Sequence, residues 1–418
     1  MAGKNMIIAQ SGGPSSAINA SVAGAVARAM ADDKIDRVLG AINGMQGFLE
    51  KKIIDVSAQM RTTDDFELLV HTPAQALGSS RYKLPRDSEE IYEKVLNILK
   101  EYNVGYFFYN GGNDSMDTVS RLAAFFKKRG EDIVAVGIPK TIDNDLVETD
   151  HTPGFGSAAR YVAASVAEVY LDTIVYPIPA VTVVEIMGRN AGWLTAASVL
   201  ARRSGIKAPH LIYLPEVIFD PEDFIARTRQ LLESERQIVI AVSEGIRLAD
   251  GSYLADTGAA EDMFGHKTLG GVASTLETMI KERIKIEKLK TRAIQFSTLQ
   301  RAAAHMASDT DLRESYECGY RAVEAALQGV TDVMITIRRA SDEPYLTSYA
   351  ASPLSGIANK EKKIPIEWIS KDGVDVTEEM VRYLTPLVRG DATEKMRGGL
   401  PEFFKFDTSE FVDPKRLR

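Results

Sequence analysis

The sequence predicts an α/β protein: two Rossmann-like, doubly wound βα domains with a cleft between them, followed by a C-terminal helical segment. Three observations predict it. Short apolar runs of strand length alternate with longer segments of helical spacing. Several strands end in polar, glycine-bearing turns that lead directly into a helix, the arrangement that builds a binding crevice at strand ends. The βα alternation recurs in the two halves, with no solenoid-length repeat and no low-complexity linker. The expected division is residues 1–145 for a first unit completed by later segments, 146–340 for a second, and 341–418 for a segment packing on the body.

The bulk numbers fit this. The 418 residues allow two or three domains. Hydrophobic content of 45% and charged content of 26% are those of a globular chain in water. A net charge of -8 argues against a nucleic-acid partner, so an anionic ligand must meet local groups of Lys and Arg. The single cysteine, Cys318, rules out an intrachain disulfide and a Cys-based zinc site, and it fits a reducing compartment. The five histidines show no metal-ligand spacing. No apolar run reaches membrane-spanning length, and residues 1–10 read as a first strand rather than a leader. A cytoplasmic protein with no membrane partner is expected.

Residues 6–10 form the first strand. SGGPSS follows, then an Ala-rich helix from residue 17. Gly12 and Gly13 can take backbone angles closed to other residues. Strand, glycine turn and helix start make an anion site, because free N–H groups and the helix dipole face the turn. The turn matches neither G-x-G-x-x-G nor the P-loop, and taken alone it also reads as a tight βα connection. Residues 37–42 are a second strand. GSSRY places Arg81 in a small-residue loop, where a solvated surface arginine is the simpler reading. Residues 88–101 have helical spacing. Residues 106–109 are a buried strand, Gly111 and Gly112 turn the chain, and 116–128 form a helix that Asp114 or Ser115 can cap.

Residues 132–138 are the strand that runs into PKTIDND, residues 139–145, and a helix follows. Asp143 and Asp145 stand two residues apart, with Lys140 just before them. A cation and two acids on a strand-end loop suit phosphoryl-transfer chemistry. A turn whose Asp and Asn side chains bond the backbone fits these seven residues equally well. The second half repeats the pattern: strands at 180–186, 210–214, 237–246 and 332–337, a strand with its exit loop over 292–301, and helices after MGRN, at 221–235, 269–285 and 309–327. Residues 376–387 read as a helix packing back onto the body. Glu244 stands at a strand end.

The series SGGPSSAIN, LGSSRY, GGNDS, PKTIDND, MGR, SEG and TLQR, in this order, resembles the 6-phosphofructokinase family from residue 6 to about 332. The resemblance implies that residues 1–145 bind a phosphate donor and 146–340 a sugar phosphate. ATP-using members carry a glycine where this chain has Asp114 and another where it has Lys140, so both positions resemble pyrophosphate-dependent members. A carboxylate at Asp114 would repel the α-phosphate of a nucleotide, and an ammonium at Lys140 would stabilise charge on the transferred phosphoryl group.

The implied roles follow. Pyrophosphate lies against Gly12, Gly13 and Ser115, with Arg81 reaching its oxygens. Asp143 is the general base toward the 1-hydroxyl of fructose 6-phosphate, with Thr141, Ile142 and Asp145 around it and Lys140 and Asp114 as catalytic partners. Met187, Gly188, Arg189 and Glu244 contact the sugar. Arg292 and Arg301 grip the 6-phosphate, where a bidentate guanidinium suits a dianion. A magnesium ion and a homodimer or homotetramer are implied as well. The alternatives are an ATP-dependent enzyme of the same family and an inactive sugar-phosphate-binding subunit.

Three positions depart from the family pattern. Asn113 replaces a metal-holding Asp and is a weaker ligand, which leaves the ion to Asn113 with Asp114, to Asp143, or to water and substrate. Ala180 replaces an arginine that reaches a neighbouring subunit's sugar site. Thr298 replaces a histidine, so the 6-phosphate grip needs other residues, with Tyr316, Arg321 and His305 as candidates.

Overall fold

The protein is described by a computed structural model covering residues 3–80, 82–86, 88–261, 267–269 and 271–417. Its first part runs β1 (Lys4–Gln10), α1 (Ile18–Met30), β2 (Ile35–Ala41), α2 (Gly44–Leu49), β3 (Ile53–Asp55), α3 (Thr63–His71), α4 (Glu89–Glu101), β4 (Val104–Gly111), α5 (Asn113–Arg129) and β5 (Val134–Pro139). The second part runs α6 (Phe155–Thr173), β6 (Ala180–Ile186), α7 (Trp193–Ala197), β7 (Leu211–Tyr213), α8 (Pro221–Ser234) and β8 (Gln237–Ser243). The hairpin β9 (Asp256–Glu261) and β10 (Lys267–Leu269) comes next, then α9 (Val272–Arg283), β11 (Lys290–Gln295) and α10 (Leu299–Ala302). The chain then returns with α11 (Asp309–Leu327), β12 (Val333–Asp342) and β13 (Tyr345–Pro353), and ends beyond α12 (Glu378–Leu384).

Two sheets organise the molecule. The larger has the order β13-β12-β5-β4-β1-β2-β3, with parallel pairing from β12 to β2 and antiparallel edges. The smaller, β11-β6-β8-β7, is parallel throughout. Parallel strands covered on both faces read as unbroken apolar runs, and β1 shows why. Met6 and Ile8 join the core with Val22 and Val26 of α1 and Cys318 and Val323 of α11. Ile7, pointing the other way, joins Leu99 of α4 and Val119 of α5. The order in which strands are added reverses between the parallel neighbours β1 and β4, and such a switch point opens a crevice at the strand ends. The turns after β1 and β4 therefore lie side by side.

The elements differ from expectation in informative places. Residues 309–337, counted by sequence with the second unit, lie on the first sheet: β12 pairs with β5 and α11 packs along α1. The close α1–α11 contact needs Gly24 and Gly319, since a Cβ on either would stand on backbone of the other helix. Helix α5 starts at Asn113, so Asn113, Asp114 and Ser115 form its first turn. Gly112 is the N-cap and no side chain caps it, which corrects the capping role expected of Asp114 or Ser115. Over 292–301, expected as a strand and its exit loop, β11 stops at Gln295 and Arg301 sits in the short helix α10. Among the described residues the C-terminal portion holds α12 and short 3-10 turns as its helix. Its last stretch returns to the first part, burying Phe406 and bonding Val412 N–H to the Ile53 carbonyl.

Candidate active site

Five strand ends supply the site. After β1, Gly12 has φ +77, a left-handed conformation that favours glycine. Gln75 Nε2 donates to the Gly12 carbonyl at 3.0 Å and Ser79 Oγ at 2.8 Å, which fixes the turn. After β4, Ser115 is buried. A Cβ on Gly111 would collide with its hydroxyl, so the glycine lets the second turn close against its own helix. After β5, the Lys140 N–H donates to the Gly111 carbonyl at 2.9 Å, and Lys140 Nζ donates to the Gly13 carbonyl at 2.8 Å. Lys140 is thus the meeting point of three loops. It is only 4% exposed. Burial pulls its ammonium down to about 8, against the opposing pull of Asp143 and Asp145. Arg301 Nη1 stands 3.2 Å from where a Cβ on Gly13 would be, so this arginine faces the first turn.

The two acids differ in surroundings. Thr141 Oγ1 accepts from the Asp143 N–H at 3.1 Å and holds the loop closed on itself. Asn144 takes φ +55, and its Oδ1 accepts from the Thr152 N–H at 3.1 Å. The side-chain-bonded turn is therefore present, and it aims two carboxylates. Burial raises the Asp143 carboxyl, opposed by the charges of Lys140 and Arg189. Burial and the neighbouring Asp143 push Asp145 up to about 7. Oδ1 of Asp145 is buried and has no hydrogen-bond partner among the described residues. A buried polar atom without a partner is costly and marks a place for a ligand. Ile142 is buried behind this loop.

Beyond β6 and β8, the MGR and SEG turns interlock. Gly188 has φ +139, and a Cβ there would meet the Ala191 carbonyl at 2.6 Å. Ser243 Oγ donates to the Gly188 carbonyl at 2.5 Å, and Glu244 Oε1 accepts from the Gly188 N–H at 3.3 Å. Burial raises Glu244 to about 7. Gln300 Oε1 accepts from the Met187 N–H at 3.1 Å, tying TLQR to MGR. Nε of Arg189 is buried without a hydrogen-bond partner among the described residues.

Several expected residues stand elsewhere. Arg292 pairs in register with Thr182, four residues before the β6 end, and forms an ion pair with Asp172. At about 3.3 Å per residue it lies ~13 Å from its own chain's strand ends, so it does not join Arg301. Asn113 is not positioned as a metal ligand: Oδ1 accepts from the Asn359 N–H at 2.6 Å and Nδ2 donates to the Lys360 carbonyl at 2.5 Å. Asp114 keeps a carboxylate 53% exposed, with Lys83 Nζ at 3.2 Å. Among the described residues no group of three or more His, Cys, Asp or Glu is arranged for a metal. Arg81 lies outside the described residues. Arg321 is engaged by Glu317 and Glu324, Tyr316 lies on α11 with its backbone against Gly24 of α1, and His305 is exposed. No helix among the described residues is long and apolar enough to cross a membrane. Sequence reasoning read Asn144 only as a turn residue, and it missed Gln75, Ser79 and the whole segment 359–364. The polar spacing of GGP and QALGSS offered a signal for Gln75 and Ser79; nothing flagged the last.

Paired parallel sheets, with anion-accepting turns facing two buried carboxylates and a buried lysine, define a phosphoryl-transfer class of protein. Residues 5–326 match the family model described as Phosphofructokinase, and the chain belongs to that family. It is 43% identical over 411 residues to a pyrophosphate--fructose 6-phosphate 1-phosphotransferase of Halomonas elongata, covering 97% of this chain and 96% of the relative. It is 42% identical over 408 residues to a protein of the same name from Methylococcus capsulatus, covering 96% of each. The crystal structure of a pyrophosphate-dependent phosphofructokinase from Marinobacter aquaeolei superposes with a TM-score of 0.87 at 37% identity, covering 98% and 97% of the two chains.

Proposed function

We propose that the protein catalyses reversible phosphoryl transfer from pyrophosphate to the 1-hydroxyl of fructose 6-phosphate, giving fructose 1,6-bisphosphate and phosphate. The observation that carries this is Lys140, held by its bond to the Gly13 carbonyl inside the donor turns, with Asp114 in the first turn of α5. A cation buried where a donor phosphate would sit, and an acid on the second donor turn, favour a small donor with no nucleoside over ATP.

Pyrophosphate lies along the turns at Gly12, Gly13 and Ser115, with Arg81 assigned to its oxygens by the family pattern; Arg301, expected at the 6-phosphate, faces the turn at Gly13 and is reassigned to the donor. Asp143 accepts the 1-hydroxyl proton as oxygen attacks phosphorus in line; its raised affinity for a proton suits a base. Lys140 stabilises charge on the transferring group. Thr141 and Asn144 hold the loop, and Asp145 Oδ1 and Arg189 Nε find partners on the bound sugar phosphate. Met187, Gly188 and Glu244 line the sugar. Asp114, pyrophosphate oxygens and water fit a divalent cation, which we take to be Mg2+; it would neutralise donor charge. Asn113, both of whose polar atoms are engaged, does not fit it.

Arg292 reaches a 6-phosphate only from a second copy, which favours a homodimer or a homotetramer built from it. Leu171, Val175 and Tyr176, exposed beside Asp172, give that copy an apolar surface. The reaction belongs to glycolysis and gluconeogenesis, and a cytoplasmic setting follows. An inactive subunit is disfavoured because Asp143, Lys140, Thr141 and Arg189 are all in place. The purified protein is assayed with pyrophosphate or ATP against fructose 6-phosphate and sedoheptulose 7-phosphate. Turnover of fructose 6-phosphate with pyrophosphate is expected; turnover with ATP alone overturns the donor assignment.

A further inference from the structure

Residues 359–364 form a strap across the two parts of the molecule. On one side, Asn113 holds the Asn359 N–H and the Lys360 carbonyl, and the Lys362 N–H donates to the Asp145 carbonyl at 2.7 Å. On the other side, Trp193 Nε1 donates to the Lys362 carbonyl at 3.0 Å, and the Ile364 N–H donates to Glu216 Oε1 at 3.3 Å. Glu216 also accepts from the Gly192 N–H at 2.9 Å, just after MGRN. Extended backbone crossing between two bodies is ordinarily a connector. This one is bonded to the catalytic loop on one flank and to the sugar-side loop on the other.

Its central side chain goes to the same loop. Lys362 Nζ donates to Asn144 Oδ1 at 3.2 Å, to the Thr149 carbonyl at 3.2 Å and to the Asp150 carbonyl at 2.7 Å, and stands 5.2 Å from the Trp193 ring centre. Three acceptors use all three ammonium hydrogens. Asn144 lies between Asp143 and Asp145 in a left-handed conformation, which is costly for a residue other than glycine unless its surroundings hold it. Its amide is held from three sides: Lys362 and the Thr152 N–H on the oxygen, Tyr383 Oη on the nitrogen at 2.8 Å.

We propose that Lys362 is a positioning residue for the reaction: its ammonium, through Asn144, fixes the loop that carries the two carboxylates, while its main chain ties the Asp145 carbonyl to Trp193 beside the sugar loop. It touches no reacting atom. This rests on the phosphotransferase reading above. Displacement of a reacting group by about 1 Å costs on the order of 10²-fold in rate, so the effect belongs in kcat.

The test is K362C in the full-length protein, assayed before and after treatment with 2-bromoethylamine, which rebuilds an ammonium of nearly the same reach. Cys318 is fully buried and leaves the new thiol as the reactive one. Expected are a kcat lowered about 30- to 100-fold, KM for both substrates within about threefold, and recovery of at least tenfold on aminoethylation. A folded K362C with kcat within threefold of wild type overturns the proposal. So does a loss that aminoethylation leaves in place. Should K362C fail to fold, W193F removes the donor to the Lys362 carbonyl together with part of the indole that packs on Trp368 and Tyr383, and its folding is checked by thermal denaturation. It is expected to lower kcat about fivefold, and an unchanged kcat overturns the idea. Wild type run alongside separates the two readings: its own failure to use pyrophosphate defeats the function, and its normal turnover leaves any negative result to count against Lys362.

Discussion

Replacing Lys140 by methionine keeps most of the side-chain volume and removes one charge. In the wild type that charge sits within 2.8 Å of the Gly13 carbonyl and opposes the burial of Asp143 and Asp145. Two consequences follow. Loss of one preorganised electrostatic contact to the transition state costs about 3 kcal/mol, or ~10²-fold in rate. Loss of the cation that holds the Asp143 carboxyl down also lets its affinity for protons rise, so the acid limb of the rate profile moves to higher pH. The assay follows pyrophosphate-dependent formation of fructose 1,6-bisphosphate across the pH range, for wild type and K140M, with folding checked by thermal denaturation. A kcat/KM within tenfold of wild type and an unmoved acid limb would refute the assignment of Lys140 to the donor. A steep loss with an unmoved limb would place Lys140 at the phosphate and detach it from Asp143.

D114G tests donor choice without burdening the fold: its surface ion pair with Lys83 is worth under about 1 kcal/mol, so the denaturation midpoint holds while pyrophosphate kcat/KM falls about tenfold and ATP turnover becomes measurable. A second test concerns His151, whose Nδ1 is 2.8 Å from Asp150 and whose Nε2 is 2.6 Å from Glu314. The two carboxylates outweigh the cost of burial and carry His151 from 6.5 to about 9. A raised folded-state value stabilises fully below about pH 6.5 and is lost as pH rises through 9. E314Q therefore lowers stability by about 3 kcal/mol at pH 6.5 and by clearly less at pH 9.5, read from urea midpoints. Equal losses at both pH values would show that the charge is not what matters. Finally, D143N and R292A are each expected to be nearly inactive, and co-refolding the two should restore activity in mixed oligomers. No restoration would show that Arg292 does not serve a partner's site.

How much of this was legible in the sequence depended on how local each cause was. The anion turns announced themselves because glycine, a short strand and a helix start are neighbours in the chain. Lys140 and Asp114 could be weighed because their charges act on whatever occupies those turns. Arg292 was assigned to the sugar phosphate by family pattern alone; only the β6–β11 register places it mid-strand, because register depends on pairing partners more than a hundred residues apart.

The hardest residue to anticipate was Asn113. From the sequence it is a weakened metal ligand, a loss without a gain. In the fold its amide instead meets Asn359 and Lys360, 246 and 247 residues later. A carboxylate at this position would accept from the Asn359 N–H but could not donate to the Lys360 carbonyl, and would set two acceptors face to face. An amide satisfies both. The amide at this position is therefore matched to the C-terminal strap. The strap itself was invisible because its bonds are made largely by backbone, which carries no residue signature, in a segment with neither helical nor strand periodicity.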